Sequence, residues 1–175
     1  QTDEIVYIDS NGYIRVLDPD QTADNPVVKW RSPDGGWYDA ALGDFNADGD
    51  DEIAAIGPWT DDDGVERTRL TIYDPVVAEG AVQPGMRING IGWATLFTAT
   101  VPALVGAPVD IAVGKFSATG VMDGIVISTV LPDVGDDETP SRITLLSATS
   151  DDGRSWETRF YRDFRHEWDQ VRTGN

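Results

Sequence analysis

The chain has 175 residues, with 31 Asp and Glu against 13 Lys and Arg, for a net charge of −18. That length suffices for a well-buried core, and the charge argues against partners that are themselves polyanions, nucleic acid and anionic membranes among them. Cysteine is absent, which excludes a disulfide framework, a thiolate nucleophile and a zinc–thiolate site, and fits either a cytosolic or an exported bacterial protein.

Residues 3–8 read as a strand, and 9–12 as a turn carrying the Asn11-Gly12 hairpin signal. Residues 13–18 are the return strand, with Ile14 and Val16 on one face, and Pro19 breaks it off. A third strand is expected over 27–30, a Pro-Asp-Gly-Gly turn over 32–36, and a fourth strand over 37–42.

That fourth strand leads into Gly43-Asp44-Phe45-Asn46-Ala47-Asp48-Gly49-Asp50-Asp51-Glu52-Ile53. Oxygen side chains stand at loop positions 1, 3 and 5 (Asp44, Asn46, Asp48), a glycine at 6 (Gly49), and a carboxylate at 9 (Glu52). Asp50 at position 7 can add its backbone carbonyl. Alternate residues of a tightly turning loop converge on one point, and a hard cation such as Ca2+ takes six to eight oxygens. Between residues 44 and 63 there are eight Asp or Glu and no Lys or Arg, a concentration whose mutual repulsion a cation would relieve. An EF-hand or dockerin loop needs an acidic residue at position 12 and a following helix. Here position 12 is Ala55, within the apolar run 53–57, which reads as a buried strand.

The strand–loop–strand unit G-D-F-N-x-D-G-x-D-[DE]-[IL] closely resembles the FG-GAP or VCBS repeat of integrin-alpha-like β-propellers. Glu52 stands where that family usually has aspartate, keeping the charge on a longer arm. The resemblance implies a β-propeller fold over nearly the whole chain, with calcium as the cofactor.

Beyond the loop the pattern repeats. A strand is expected over 52–57, followed by a loop holding Trp59, Asp61, Asp62 and Asp63. Residues 69–75 (RLTIYDP) restate 13–19 (YIRVLDP) position for position. After a long connection comes a strand at 93–98, and 109–114 (VDIAVG) aligns without gaps on 38–43 (YDAALG). Residues 114–123 form a second copy of the loop that has lost its ligands: Lys115 holds position 1, Thr119 position 5 and Asp123 position 9. Lys115 and Asp123 are expected to pair and close this loop without metal. Strands follow at 125–129, 142–146 and 156–161, and 168–175 matches 37–44. The uncharged stretch 90–109 contains Pro102 and Pro108 with several glycines and threonines, which suits strand and loop better than a membrane helix.

With A denoting the strand before the loop and B, C and D those after it, the order is BCD-ABCD-ABCD-A. The expectation is an all-β chain of three four-stranded antiparallel blades: a permuted blade from 1–36 and 168–175, a calcium-loop blade over 37–98 and a degenerate-loop blade over 108–161. Two packed sheets are the competing arrangement. In such blades the A–B and C–D turns share one face, and the B–C and D–A connections share the other. Asp61–Asp63, Asp133, Asp136–Glu138 and residues 162–166 would make that second face acidic.

No nucleophile–base constellation is legible. His166 stands alone among charged neighbours, and carboxylates are too numerous to single out a glycosidase pair. Residues 150–156 resemble a shortened Asp-box hairpin of sialidase-type propellers, a structural motif. Most tryptophans recur at equivalent strand positions and read as core; Trp59, beside Asp61–Asp63, is the candidate for touching a ligand. The functional expectation is an extracellular, bacterial, calcium-stabilised repeat protein acting in adhesion or self-assembly, without enzymatic activity. Its partners would be further copies of itself, as an oligomer or filament, or further blades of a longer chain. The alternatives are a glycan- or protein-binding module using the acidic face and, behind it, the non-catalytic part of a secreted polysaccharide hydrolase or lyase. Millimolar calcium outside cells favours export, and Gln1 reads equally as a mature N-terminus or as a cut in a longer chain.

Overall fold

A computed structural model describes residues 4–18, 27–76, 92–99, 104–116, 122–132, 140–166 and 168–174. These form β1 (Ile5–Ile8), β2 (Ile14–Asp18), β3 (Val27–Arg31), β4 (Asp39–Gly43), β5 (Glu52–Thr60), β6 (Glu66–Val76), β7 (Gly92–Ala99), β8 (Ala107–Gly114), β9 (Gly124–Val130), β10 (Ser141–Ala148) and β11 (Trp156–Phe164). All pair antiparallel in three sheets ordered β1-β2-β3, β4-β5-β6-β7 and β8-β9-β10-β11. The chain is all-β, and no closed ring of sheets is present among the described residues.

The sheets stack in chain order, and the middle one is buried on both faces. Successive side chains of a strand point to opposite faces, so Ile53 and Ala55 enter one core while Ala54 and Ile56 enter the other. The first core joins the middle sheet to β1-β2-β3 through Ile14, Val16, Trp30, Trp37, Tyr73 and Trp93. The second joins it to β8-β11 through Phe45, Leu70, Ile72, Ile111, Ile125 and Ile127. This two-sided burial explains the unbroken apolar run at 53–56. Each fully buried Ile or Leu contributes on the order of 1.5–3 kcal/mol, so truncation at Ile56, which is fully buried, would be costly.

Three tryptophans expected in the core are there. Trp30, Trp37 and Trp93 are buried and pack with Tyr73, the Trp30–Tyr73 and Trp37–Tyr73 rings meeting edge-on at 5.1 and 6.0 Å. Trp156 is half-buried against Phe45 at 5.6 Å. Trp168 differs: it is exposed, with its ring against that of Phe164 at 5.3 Å. Trp59 also differs from expectation, lying inside β5 rather than in the following loop and pairing with Arg67. The ladder between β4 and β5 ends at Asp39–Ile56. Beyond it Pro58 has no ladder partner on that side among the described residues, so the strand runs through the proline.

The turns are held by aspartates. Asp9 accepts from the amides of Asn11 and Tyr13 and from Arg15 Nε. Asp61 accepts in the same way from Asp63, Val65 and Arg67 Nε. Both follow the pattern D-x-[ND]-G-x-x-R between a B and a C strand. The hydrogen bonds from Val65 and Arg67 hold the Asp61 carboxyl below the usual carboxylate range. Asp61 is therefore a turn residue, whereas Asp62 and Asp63 are exposed. Asp133 and 136–138 lie outside the described residues.

Candidate metal centre

The loop between β4 and β5 is closed by its own oxygens. Asn46 Oδ1 accepts from the Asp48 amide at 2.9 Å, and Asp48 Oδ1 accepts from the Asp50 amide at 2.9 Å. Ala47 holds a left-handed conformation with φ 61°, and Gly49 follows at φ 94°. A non-glycine residue rarely adopts that conformation, and such strain concentrates where a loop is shaped for a ligand. Glu52 opens β5 and is fully buried. Its Oε2 accepts from the Phe45 amide at 2.6 Å, which ties the end of the loop back to its start.

The loop is packed from outside as well. Phe45 is buried in the second core. Asp123, at the end of the second loop copy, donates its amide to the Asp44 carbonyl at 2.9 Å, and its Oδ2 accepts from the Asp44 amide at 3.2 Å. The hairpin over 150–155 closes through Ser150 and Asp152 and sets Gly153 against the Phe45 carbonyl. These A–B and C–D turns thus meet on one side of the molecule. On the other, Trp37 donates its amide to the Gly12 carbonyl, joining a B–C turn to a D–A connection.

The expected Lys115–Asp123 pair is not formed. Asp123 is engaged by the Asp44 amide, and Lys115 is exposed with no carboxylate among the described residues within ion-pair distance. A fixed backbone amide in the neighbouring sheet competes well with a flexible, strongly hydrated ammonium. Residues 117–121 of this loop lie outside the described residues.

The acidic convergence is Asp48, Glu52 and Asp74, whose carboxylate oxygens lie within 4.8 Å of one another. Asp74 lies outside the loop whose spacing marks the other ligands. It follows Tyr73 in β6, and because Ile53 pairs with Tyr73 the next positions outward are Glu52 and Asp74. Like charges facing each other across two strands are destabilising without a compensating cation. The recurrence of Asp-Pro at 18–19 and 74–75 was the available signal. Of the other expected ligands, Asp44 and Asp50 stand outside this trio. Both still lie near enough to act on it: Asp44 raises the pKa of Glu52, and Asp50 that of Asp74. Asn46 instead turns its Nδ2 to Asp48 Oδ2.

Burial, and then the charges of Asp74, Asp48 and Asp44, push the Glu52 carboxyl up to about 8. Burial likewise raises Asp74, with Asp48 adding to the effect. Two buried oxygens, Glu52 Oε1 and Asp44 Oδ1, have no hydrogen-bond partner, a cost that proteins seldom leave uncompensated. An all-oxygen donor set with orphaned buried carboxylate atoms fits a hard divalent cation such as Ca2+. Asp48, Glu52 and Asp74 would hold it, and the ion would supply the positive charge that lets these carboxylates stay ionised together.

Trp59 is 38% exposed and lies on the hairpin with Asp62 and Asp63, which the metal trio does not include. His166 is exposed, and its carbonyl accepts a hydrogen bond from Ser141 Oγ. No helix among the described residues is long and apolar enough to cross a membrane. Comparison with known proteins found no matching family, no matching curated protein and no matching solved structure.

Proposed function

We propose that this chain is a calcium-stabilised repeat scaffold built like the blades of integrin-alpha-like propellers, acting outside the cell in adhesion or self-assembly. The observation that carries the reading is Glu52: a fully buried carboxylate with one orphaned oxygen, facing Asp48 and Asp74. Its neighbours are further carboxylates, so the three can be ionised together only beside a compensating positive charge. A structural cation accounts for it. Consecutive sheets with the same strand order, stacked in chain order, support the blade reading, and the A–B loop carrying the acids lies where propeller repeats of this type hold calcium.

Thermal unfolding with and without calcium tests this. Binding to the native state alone stabilises it by mass action, so calcium raises Tm and chelator reverses the change. In Asp48→Ala the shift is lost; an unchanged shift in that variant would refute the assignment. A second reading, recognition of a glycan or protein, draws on exposed Trp59 with Asp62 and Asp63. A glycan array probed with wild type and Trp59→Ala separates it from a pure scaffold.

A further inference from the structure

The acids of the candidate metal centre point at the third sheet. Alternate residues of a strand share a face, so Glu52 lies on the face of Ala54 and Ile56, and Asp74 on that of Leu70 and Ile72. Those four apolar residues belong to the second core, which packs on β8–β11. The acids therefore stand at the rim of the seam between the middle and third sheets.

The third sheet grips the metal loop at that seam through two turns. The first is its own degenerate copy of the loop. Gly43 pairs with Glu52, but Gly114 pairs with Gly124, so Asp123 lies one residue outside the corresponding ladder. A one-residue step turns a side chain to the other face, and Asp123 shares the face of Ile125 and Ile127, toward the middle sheet. There its Oδ2 accepts from the Asp44 amide at 3.2 Å, and its amide donates to the Asp44 carbonyl at 2.9 Å. A Cβ on Gly43 would stand 3.0 Å from the same Oδ2 and 2.5 Å from Val113, so this approach requires glycine.

Glu52 and Asp123 hold the ninth position of the two loop copies. Glu52 accepts from the Phe45 amide, and Asp123 accepts from the Asp44 amide. Two carboxylates from different sheets thus fix two successive amides at the start of one loop. The second turn is the hairpin over 150–155. Gly153, at φ 66°, lies so close to Phe45 that a Cβ would stand 2.6 Å from the Phe45 carbonyl oxygen. Trp156 Nε1 donates to the Gly153 carbonyl while its ring meets that of Phe45. Burial and Asp48 raise the Asp74 carboxyl, and Arg154 of this hairpin opposes them.

We propose that the metal loop and the third sheet form one coupled unit: Asp123 is a positioning residue that sets the loop for a divalent cation held by Asp48, Glu52 and Asp74, and the cation in turn fastens β8–β11 to the middle sheet. This coupling rests on the calcium reading above and adds its regulation. Residues 44 and 45 are common to both events, because the loop carrying Asp48 and Glu52 starts there and both turns of the third sheet end there. Ordering them for one contact lowers the cost of ordering them for the other, and such coupling is reciprocal. The second loop copy, with Lys115 where a ligand would stand, thereby takes part in the first.

Two measurements on the full chain test this. In the first, calcium is titrated into folded wild type, Asp123→Ala and Asp123→Asn. Both variants lose the same charge, but asparagine keeps an oxygen for the Asp44 amide. Asp123→Ala binds calcium about three- to tenfold more weakly, the effect of one lost hydrogen bond, and Asp123→Asn stays within about twofold of wild type. A contact that only stabilised the fold would move Tm and leave the affinity of the folded protein unchanged. In the second, amide hydrogen exchange of wild type is followed in calcium and in chelator. Calcium slows the Asp123 and Thr149 amides, which close the two turns, about tenfold or more, and leaves the Gly12 amide of the first sheet within about twofold. Wild type that binds no calcium sinks the reading of the centre and the coupling together. Equal affinity in all three proteins overturns the coupling alone, as does an equal loss in Asp123→Ala and Asp123→Asn, which assigns the effect to charge. Protection confined to the middle sheet overturns it too, and that result decides even where Asp123→Ala fails to fold.

Discussion

Replacing Glu52 by glutamine has opposite consequences with and without metal. In the unfolded chain this carboxyl has its ordinary pKa of 4.5, whereas burial beside Asp74, Asp48 and Asp44 pushes it up to about 8 in the metal-free fold. A carboxyl with a raised folded-state pKa binds its proton more tightly folded than unfolded. Its contribution is therefore neutral below about pH 4.5 and increasingly destabilising as pH rises to about 8. Each pH unit in that window costs ~1.4 kcal/mol, which amounts to roughly 3 kcal/mol at pH 7. Glutamine mimics the protonated form and still accepts from the Phe45 amide through its side-chain oxygen. In chelator at pH 7, Glu52→Gln is expected to be more stable than wild type by up to about 3 kcal/mol, or roughly 6–12 °C in Tm for a chain of this size. At pH 5 the gain shrinks below about 1 kcal/mol. In saturating calcium the order reverses, because glutamine supplies one charge fewer to the ion. Thermal unfolding of both proteins at the two pH values, with and without calcium, reads all of this. A Glu52→Gln protein that is destabilised in chelator at pH 7, or that keeps the whole calcium shift, would refute the reasoning.

Three further outcomes are expected. Asp74→Asn removes a carboxylate charge from the trio and weakens calcium binding by about tenfold or more, which a calcium titration checks; unchanged affinity would return the site to the loop alone. Asp123→Ala costs about 1–2 kcal/mol in denaturant unfolding, since the Asp44 amide loses its partner. Lys115→Ala stays within about 0.5 kcal/mol, and the reverse order would restore the Lys115–Asp123 pair. Ala47→Gly relieves a left-handed backbone and is expected to stabilise the metal-free protein by about 0.5–1 kcal/mol, measured by the same unfolding experiment.

Strands were legible where side-chain alternation and turn residues agreed. Ile14 and Val16, Ile53 to Ile56, and Leu70 and Ile72 each mark a face that the structure buries. The split of Ile53 to Ile56 between two cores depends on a second sheet arriving from 50 or more residues away, and no local pattern encodes it. The metal loop was legible in its spacing, but only Asp48 and Glu52 of the expected set converge with the third acid. Asp74 enters through strand register, which couples residue 52 to residue 74 across two strands. Lys115 and Asp123 misled because spacing cannot see that the Asp44 amide, in another sheet, is the nearer partner. The tail at 168–174 was legible as an A-type segment from its match to 37–43; that the Val171 amide donates to Asp110 as the Ile111 amide donates to Asp39 is information only the packing holds.

The most direct measurement of the central claim is calorimetric titration of calcium into the chelator-treated chain at pH 7. Metal binding must displace the proton that Glu52 otherwise keeps, so the account predicts saturable binding with proton release, seen as a heat that varies with the ionisation enthalpy of the buffer. Titration that shows no saturable binding at millimolar calcium, or binding equally strong in Glu52→Gln and without proton release, would contradict it.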